Sequence, residues 1–551
     1  MENIKNIFGT FADKIKRYCE NCSETVKREL KIFAEYLKKN YLFITVSCAI
    51  FLVVFSSWLS NTNPRIDSEN FINEANSDFN WLEIGREFAI FTKYLFGIHW
   101  FNPALATTLG YLMICLAGIV FGYLFWRCTR RSGWACAAFL LPFFIAPIFA
   151  EQFYFDLQIF EMAWAFLLCA AGAGLGLYGA FRRSYTALFL FAVAALWAVG
   201  TYQAFAVLIT AIILFCFALV YRRWSAVEGR SVSAKEYGVA FGKTVGFFAA
   251  AVILYIAITL IWFAGSSYTT SNFYWLTASF SECLQSIFTH IRQGFAGESI
   301  FYTWFYTVFA ILSVGAAVLD AVQSKTKFSI FYVVFVVLLQ FSPFLLTVVF
   351  GGINPFRTQY TYPFVLAANM LFLVSRDWKI KKLFGANFGF IFIVLAAISL
   401  FSQINMTARL IYTDNIRAQE DTRLAAAIEE EIARVSSTDK PIVFIGYYSN
   451  RLNNSCIKGE LIGYSLFDIH HALSPYYFWS TRSVCNLMRT ISFPFTSASE
   501  EQVYEARIYA RDNDMPCWPS EGSVYDAGDY TIVKLSEDEF TFDLPAQENT
   551  I

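Results

Sequence analysis

Asp67 and Glu69 stand two positions apart in Asn63-Pro64-Arg65-Ile66-Asp67-Ser68-Glu69, just after the first long hydrophobic run ends near Ser60. Carboxylates at i and i+2 of an irregular loop can face one cavity. There a carboxylate can take the proton of a sugar hydroxyl or hold a divalent cation. A solvated loop carries the same short pattern by chance. The surroundings favour chemistry. Trp81, Arg86, Lys93 and Tyr94 follow in an amphipathic stretch that reads as one or two helices along a membrane surface. The loop is about forty residues long, more than membrane connectivity needs, and long loops in compact proteins are usually functional. Arg86 and Lys93 can meet a lipid phosphate. Snorkelling to headgroups is their plainer role.

Other polar residues fall at the ends of apolar runs. Asp156 lies in Phe153-Tyr154-Phe155-Asp156-Leu157-Gln158, between Glu151 and Glu161. A carboxylate among aromatics at the interface is costly unless it is used or paired. Glu161, at the head of the next run, reads as an interfacial cap. Tyr202 and Gln203 sit between two apolar runs and can hydrogen-bond a sugar or phosphate, or simply another helix. Arg357, in Gly351-Gly352-Ile353-Asn354-Pro355-Phe356-Arg357, is the sole basic residue of its loop. Its guanidinium suits bidentate phosphate binding. Arg292 is a weaker candidate.

The elements that position these residues are membrane helices. Of the 551 residues 57% are hydrophobic and only 15% charged, well below the quarter or so of a soluble domain. Mean hydropathy is +0.46. Sixty Phe and thirty Tyr suit lipid-facing surfaces and interfacial belts. A net charge of −1 gives no footing for nucleic-acid binding. Apolar runs fit for crossing lie at 41–60, 104–126, 134–150, 159–181, 185–201, 204–221, 244–264, 300–320, 328–350, 360–375 and 383–402. The fold class is thus a polytopic α-helical membrane protein with about 11 transmembrane helices.

Arginine and lysine set the expected orientation. Arg127, Arg130 and Arg131 follow the second run, Arg182 and Arg183 the fourth, and Arg222 and Arg223 the sixth. Lys325 and Lys327 follow the eighth, and Arg376, Lys379, Lys381 and Lys382 the tenth. These loops are expected in the cytoplasm. The loops 61–103, 151–158, 201–203, 265–299 and 351–359 are then outside, as is everything after 403. Residues 1–40 place apolar side chains at helical spacing among lysines and arginines, which suits a cytoplasmic amphipathic helix. The organisation expected is therefore 1–40, a membrane domain 41–402, and an extracytoplasmic α/β domain 403–551. In that last part 406–436 and 500–511 read as helices, and 441–446 and 530–535 as strands.

Some patterns carry less. Cys19-x-x-Cys22 has no second pair to complete a zinc site. A Cys456–Cys485 bridge is open. Gly172 and Gly176 suit close helix packing, and His470-His471 reads as a surface pair.

A D-x-E just after the first span resembles the membrane glycosyltransferases of the GT-C class. More closely, several features in order are similar to the glucosyltransferase II family, whose phage members modify O-antigen. They are the Asp67-Ser68-Glu69 loop leading to Trp81 and Gly85-Arg86, the Tyr202-Gln203 pair, the Arg357 loop, and the ending Met515-Pro516-Cys517-Trp518-Pro519-Ser520-Glu521-Gly522-Ser523-Val524. The resemblance implies a GT-C-like enzyme of a bacterial cytoplasmic membrane. It would move a sugar, glucose by family, from a polyprenyl-phosphate donor to a cell-envelope glycan on the outer face. Asp67 would be the base and Glu69 its helper. Arg86, Lys93 and Arg357 would serve the phosphate, while Asp156, Tyr202 and Gln203 line the pocket. A divalent cation is optional in such a scheme. The rival reading is a lipid or polysaccharide transporter, which would favour internal repeats and mid-span charges. The sequence displays no evident repeat.

Overall fold

Apolar sequence of this length must satisfy its own backbone, and helix is the local way to do so. The computed structural model describes residues 2–74, 77–262, 273–324, 329–376, 378, 388–473, 477–491 and 493–537; for 2–22, 77–78, 226–227, 262, 388, 471–473 and 477 it describes the backbone alone. Lys325, Lys327, Lys379, Lys381 and Lys382 of the basic loops, and the side chains of Cys19, Cys22 and His471, lie outside what is described.

Among the described residues eight helices are long and apolar enough to cross a bilayer. They are Ser23–Val54, Pro103–Thr129, Asp156–Arg182, Phe205–Ser225, Ala234–Ile261, Phe305–Ser324, Ser329–Phe350 and Gly389–Val435. The chain is a polytopic membrane protein. The expected run 134–150 is a bent pair, Gly133–Phe144 and Pro147–Tyr154, meeting at 60°. Pro147 opens the second member. A proline there lacks the N–H that would continue the ladder, so the helix restarts in a new direction. The expected runs 185–201 and 360–375 are the shorter apolar helices Tyr185–Thr201 and Thr361–Val374. Helix Phe205–Arg222 is walled in on nearly every side and forms the centre of the bundle. Gly172 and Gly176 approach Ala194 and Phe191 at 3.0 and 3.1 Å from where a Cβ would stand, the close packing expected of them.

The first helix is continuous from Glu2 to Val54. At 1.5 Å per residue it is roughly 80 Å long, far more than the hydrocarbon core. The amphipathic region and the first span are thus one rod. The last span is likewise continuous. Helix Phe388–Val435 runs through position 403 without a break, so the C-terminal region is built on an extension of a membrane helix.

That region holds a three-stranded sheet in the order β1-β3-β2, with β1 Ile442–Ile445, β2 Val524–Asp526 and β3 Thr531–Lys534. β1 and β3 run parallel; β2 and β3 run antiparallel. Every residue of β1 and β3 is buried. Helices Leu466–Leu473, Tyr477–Thr490 and Glu500–Asp512 complete it. Ser499 and Gln502 form a capping box that fixes the start of the last one. Cys456 and Cys485 are free thiols, so the open bridge is not made.

Helix Tyr477–Thr490 lies directly on the first loop. Asn73 Nδ2 donates to the Asn486 carbonyl at 3.0 Å and to Thr490 Oγ1 at 2.9 Å. Asn486 Nδ2 donates to Asn70 Oδ1 at 2.9 Å and Glu74 Oε1 at 2.6 Å. Arg482 pairs with Glu74 at 2.7 Å.

Candidate active site

The chain leaves the first span through a short helix, Ser56–Ser60, and turns at Arg65–Ser68. Ser68 Oγ accepts from the Arg65 N–H at 3.0 Å and donates to the Arg65 carbonyl at 2.5 Å. That clasp leaves Asp67 with φ +65°, in the left-handed region. Non-glycine residues seldom sit there, and where they do the surroundings must hold them. Asp67 stands at the start of the helix Ser68–Asn73, yet its side chain makes no capping hydrogen bond. Its carboxylate is left for other work.

Glu69, in the first turn of that helix, is fully buried. Its Oε1 accepts from Asn70 Nδ2 at 3.1 Å and lies 3.0 Å from His470 Nε2. Its Oε2 is buried with no hydrogen-bond partner among the described residues. Burial and the neighbouring Glu69 push the Asp67 carboxyl up to about 6, against the pull of His470, Arg357 and Arg86. A carboxylate of that basicity can accept a proton near neutral pH. Burial disfavours a charged His470, but Glu69, Asp67 and Asp421 outweigh it and raise its pKa.

Arg86 reaches this group from a tight turn. Gly85 has φ +71°, and a Cβ there would stand 2.6 Å from Tyr255 Oη and 3.1 Å from Gln203 Nε2. Gln203 Nε2 donates to the Ile84 carbonyl at 2.7 Å and the Gly85 carbonyl at 3.3 Å; Tyr255 Oη donates to the latter at 2.9 Å. The Arg86 guanidinium then lies 4.4 Å above the Tyr202 ring and donates to Gln158 Oε1 at 3.4 Å. Tyr202 and Gln203 therefore shape the seat of Arg86. Arg357 comes from the turn Phe356–Thr358. It is 3.4 Å from Glu460 and 5.0 Å from the Phe155 ring centre.

Asp67, Glu69, Arg86 and Arg357 are thus brought into one electrostatic neighbourhood. Asp156 adjoins it through a pairing the sequence did not disclose. Its Oδ2 meets Arg65 Nη1 at 3.3 Å, and both residues are about 1% exposed. Arg65 also approaches Asp414 at 3.7 Å. Arg417 bridges Asp414 and Asp421 at 2.5 and 3.1 Å and holds the Pro64 carbonyl at 3.0 Å. Lys93 stands apart from Asp67. It is buried against Glu161 at 3.0 Å and donates to the Leu157 carbonyl at 2.6 Å. Glu161 is its partner rather than a cap. Arg292 is exposed and paired with Glu298 at 3.2 Å.

Five residues escaped the sequence reading. Arg65, two residues before Asp67, is buried against Asp156. His470 is buried rather than on the surface. Asp414, Arg417 and Asp421 share one helix face at i, i+3 and i+7, a spacing that could have signalled a buried ionic stripe. Among the described residues no group of three or more His, Cys, Asp or Glu is placed to hold a metal ion.

Residues 56–375, more than half the chain, match the family described as glucosyl transferase GtrII. The chain belongs to the GtrII family. All eight positions singled out from Asp67 to Arg357 fall inside the matched segment, whereas the 515–524 ending and His470 lie beyond it. No curated protein and no solved structure matches the chain. Membership in the GtrII family makes it a glycosyltransferase, of a kind that serves cell-envelope glycans. Transfer of a sugar to a hydroxyl in general uses a group that accepts the hydroxyl proton and charge that stabilises the leaving group. The carboxylate pair and the two arginines are of those kinds.

Proposed function

We propose that the chain transfers a sugar, glucose on the strength of the family's name, from a polyprenyl-phosphate donor to a cell-envelope glycan. The reaction takes place on the outer face of the bacterial cytoplasmic membrane. The N-terminus is cytoplasmic and the C-terminal domain outside, a reading supported by the alternation of basic loops. Asp67 is the general base. The acceptor oxygen bonds to the anomeric carbon as the bond from that carbon to the phosphate oxygen breaks. The acceptor proton passes to Asp67, and polyprenyl phosphate departs with the electron pair. Arg86 and Arg357 stabilise its charge, with Arg357 exchanging Glu460 for phosphate. Glu69 orients the acceptor. Tyr202 and Gln203 hold Arg86 in place, Asp156 anchors the loop through Arg65, and Lys93 serves the scaffold.

One observation carries this reading: a carboxylate held at φ +65°, free of capping, with its pKa near 6 and two arginines acting on it. The test is Asp67→Asn in purified enzyme supplied with a polyprenyl-phosphate sugar. Transfer should vanish while expression and membrane insertion persist. Full activity in that variant would remove Asp67 from the role of base.

A further inference from the structure

The first loop's carboxylate pair is completed by a residue from outside the family-matched segment. His470 lies on helix Leu466–Leu473, and its Nε2 is 3.0 Å from Glu69 Oε1. Both side chains are buried, Glu69 completely. The helix is fastened where it begins. Asp421 accepts from the Leu466 N–H at 3.0 Å and from Ser465 Oγ at 2.7 Å. Asp421 is in turn bound by Arg417, which also holds the Pro64 carbonyl of the first loop. The histidine and the carboxylate pair are therefore set by one connected network.

We propose that His470 is a positioning residue of the transfer site. Its ring turns Glu69 so that Oε2 faces the sugar, and it supplies positive charge beside both loop carboxylates. The proposal rests on the assignment of Asp67 as base. His470 Nε2 is buried and approaches Glu69 Oε1 at 3.0 Å as an ion pair, without hydrogen-bond geometry. Here the partner is a buried carboxylate whose second oxygen has no hydrogen bond among the described residues. The charged groups that act on His470 are Glu69 and Asp67 from the first loop and Asp421 from the long helix. Those that act on Asp67 are Glu69, His470, Arg357 and Arg86. His470 is thus a cation common to the pair. Removing it leaves Glu69's repulsion of Asp67 less balanced, so the base becomes harder to ionise.

Two readouts test this on the full chain in detergent. The first needs no activity. With carbon-13 histidine, the His470 resonance is the one of the four histidines lost in His470→Gln. It should titrate above a free histidine and fall by about one pH unit in Glu69→Gln. A titration that ignores Glu69→Gln overturns the pairing. The second is the pH profile of transfer from a polyprenyl-phosphate sugar. His470→Gln should move the acidic limb up by about one unit, and His470→Lys should largely restore it. An unmoved limb in a folded His470→Gln enzyme overturns the charge-setting role. If Asp67→Asn proves fully active, the base assignment fails, and the resonance titration still decides the pairing. If His470→Gln does not fold, the resonance is assigned as the one that survives replacement of His99, His290 and His471 in turn, and its shift in Glu69→Gln decides the pairing.

Discussion

Arg65 and Asp156, ninety-one positions apart, meet at 3.3 Å with about 1% of each side chain exposed. The contact ties the first loop to the start of the third long span, Asp156–Arg182. Arg65 also lies 4.7 Å from the Trp58 ring centre, and Trp58 Nε1 donates to Asp414 Oδ2 at 2.9 Å. The loop that carries Asp67 is thus pinned on both sides by buried charge. Removing one partner of such a pair strands the other. Arg65→Ala should therefore cost about 3–5 kcal/mol of stability, seen as a large drop in the detergent unfolding temperature. The double replacement Arg65→Met with Asp156→Leu should recover part of that loss. No recovery would mean that the pair also does something besides neutralise itself.

Asp67 must be ionised to accept a proton. Its pKa stands near 6 rather than at the usual carboxylate value because burial and Glu69 disfavour the charge. The rate of transfer should accordingly rise through about pH 6 and fall about tenfold per unit on the acid side. Asp67→Asn should lower the rate by about a hundredfold to ten-thousandfold, the ordinary range for general-base catalysis. Initial rates between pH 4.5 and 8 decide it. A flat profile across about pH 6 would point to a base of different acidity.

Arg86 and Arg357 differ from Lys93 in what they can lend a phosphate. Arg86 rests on Tyr202 and Arg357 on Phe155, both half-buried, whereas Lys93 is enclosed with Glu161. Arg86→Gln and Arg357→Gln should each weaken donor binding about tenfold to a hundredfold, as expected for losing a charge-assisted hydrogen bond of about 1.5–3 kcal/mol. Each should also raise the acidic limb, because both arginines favour the ionised Asp67. Lys93→Gln should lower the unfolding temperature and leave the donor KM of the surviving enzyme unchanged. Donor KM values for the three variants separate these outcomes.

The helical membrane architecture was legible because hydrophobic length is a composition signal, readable without partners. The glucosyltransferase II resemblance was legible too: the matched segment contains the Asp67 and Arg357 loops and the Tyr202-Gln203 pair that carried it, though not the 515–524 ending. Residue types near the loop were legible, but not their partners. Asp67, Glu69, Arg86 and Arg357 fall together, but Asp156 and Lys93 are consumed by Arg65 and Glu161. Loop charges declare their types in sequence and not their partners. The pairings join positions 65 to 156, 65 to 414 and 69 to 470, and no local periodicity encodes contacts that distant. Position 403, where the composition changes, lies within the continuous helix Phe388–Val435.

The turn at Gly85 gives the sharpest separation between placing a residue and using it. Gly85 needs φ +71° and leaves no room for a Cβ beside Tyr255 and Gln203. Gly85→Ala meets both a left-handed penalty of about 1–2 kcal/mol and a contact that must shift. Gln203→Ala leaves the Ile84 carbonyl without its donor, at about 1–3 kcal/mol, while Tyr255 Oη still donates to the Gly85 carbonyl. Neither residue is asked to touch the reacting atoms. Each should raise donor KM by displacing Arg86, and neither should move the acidic limb as far as Arg86→Gln does. Combining either with Arg86→Gln should add little to donor KM, because the arginine they position is already gone. Additive losses in the double variants would give Gln203 a contact of its own with the substrate.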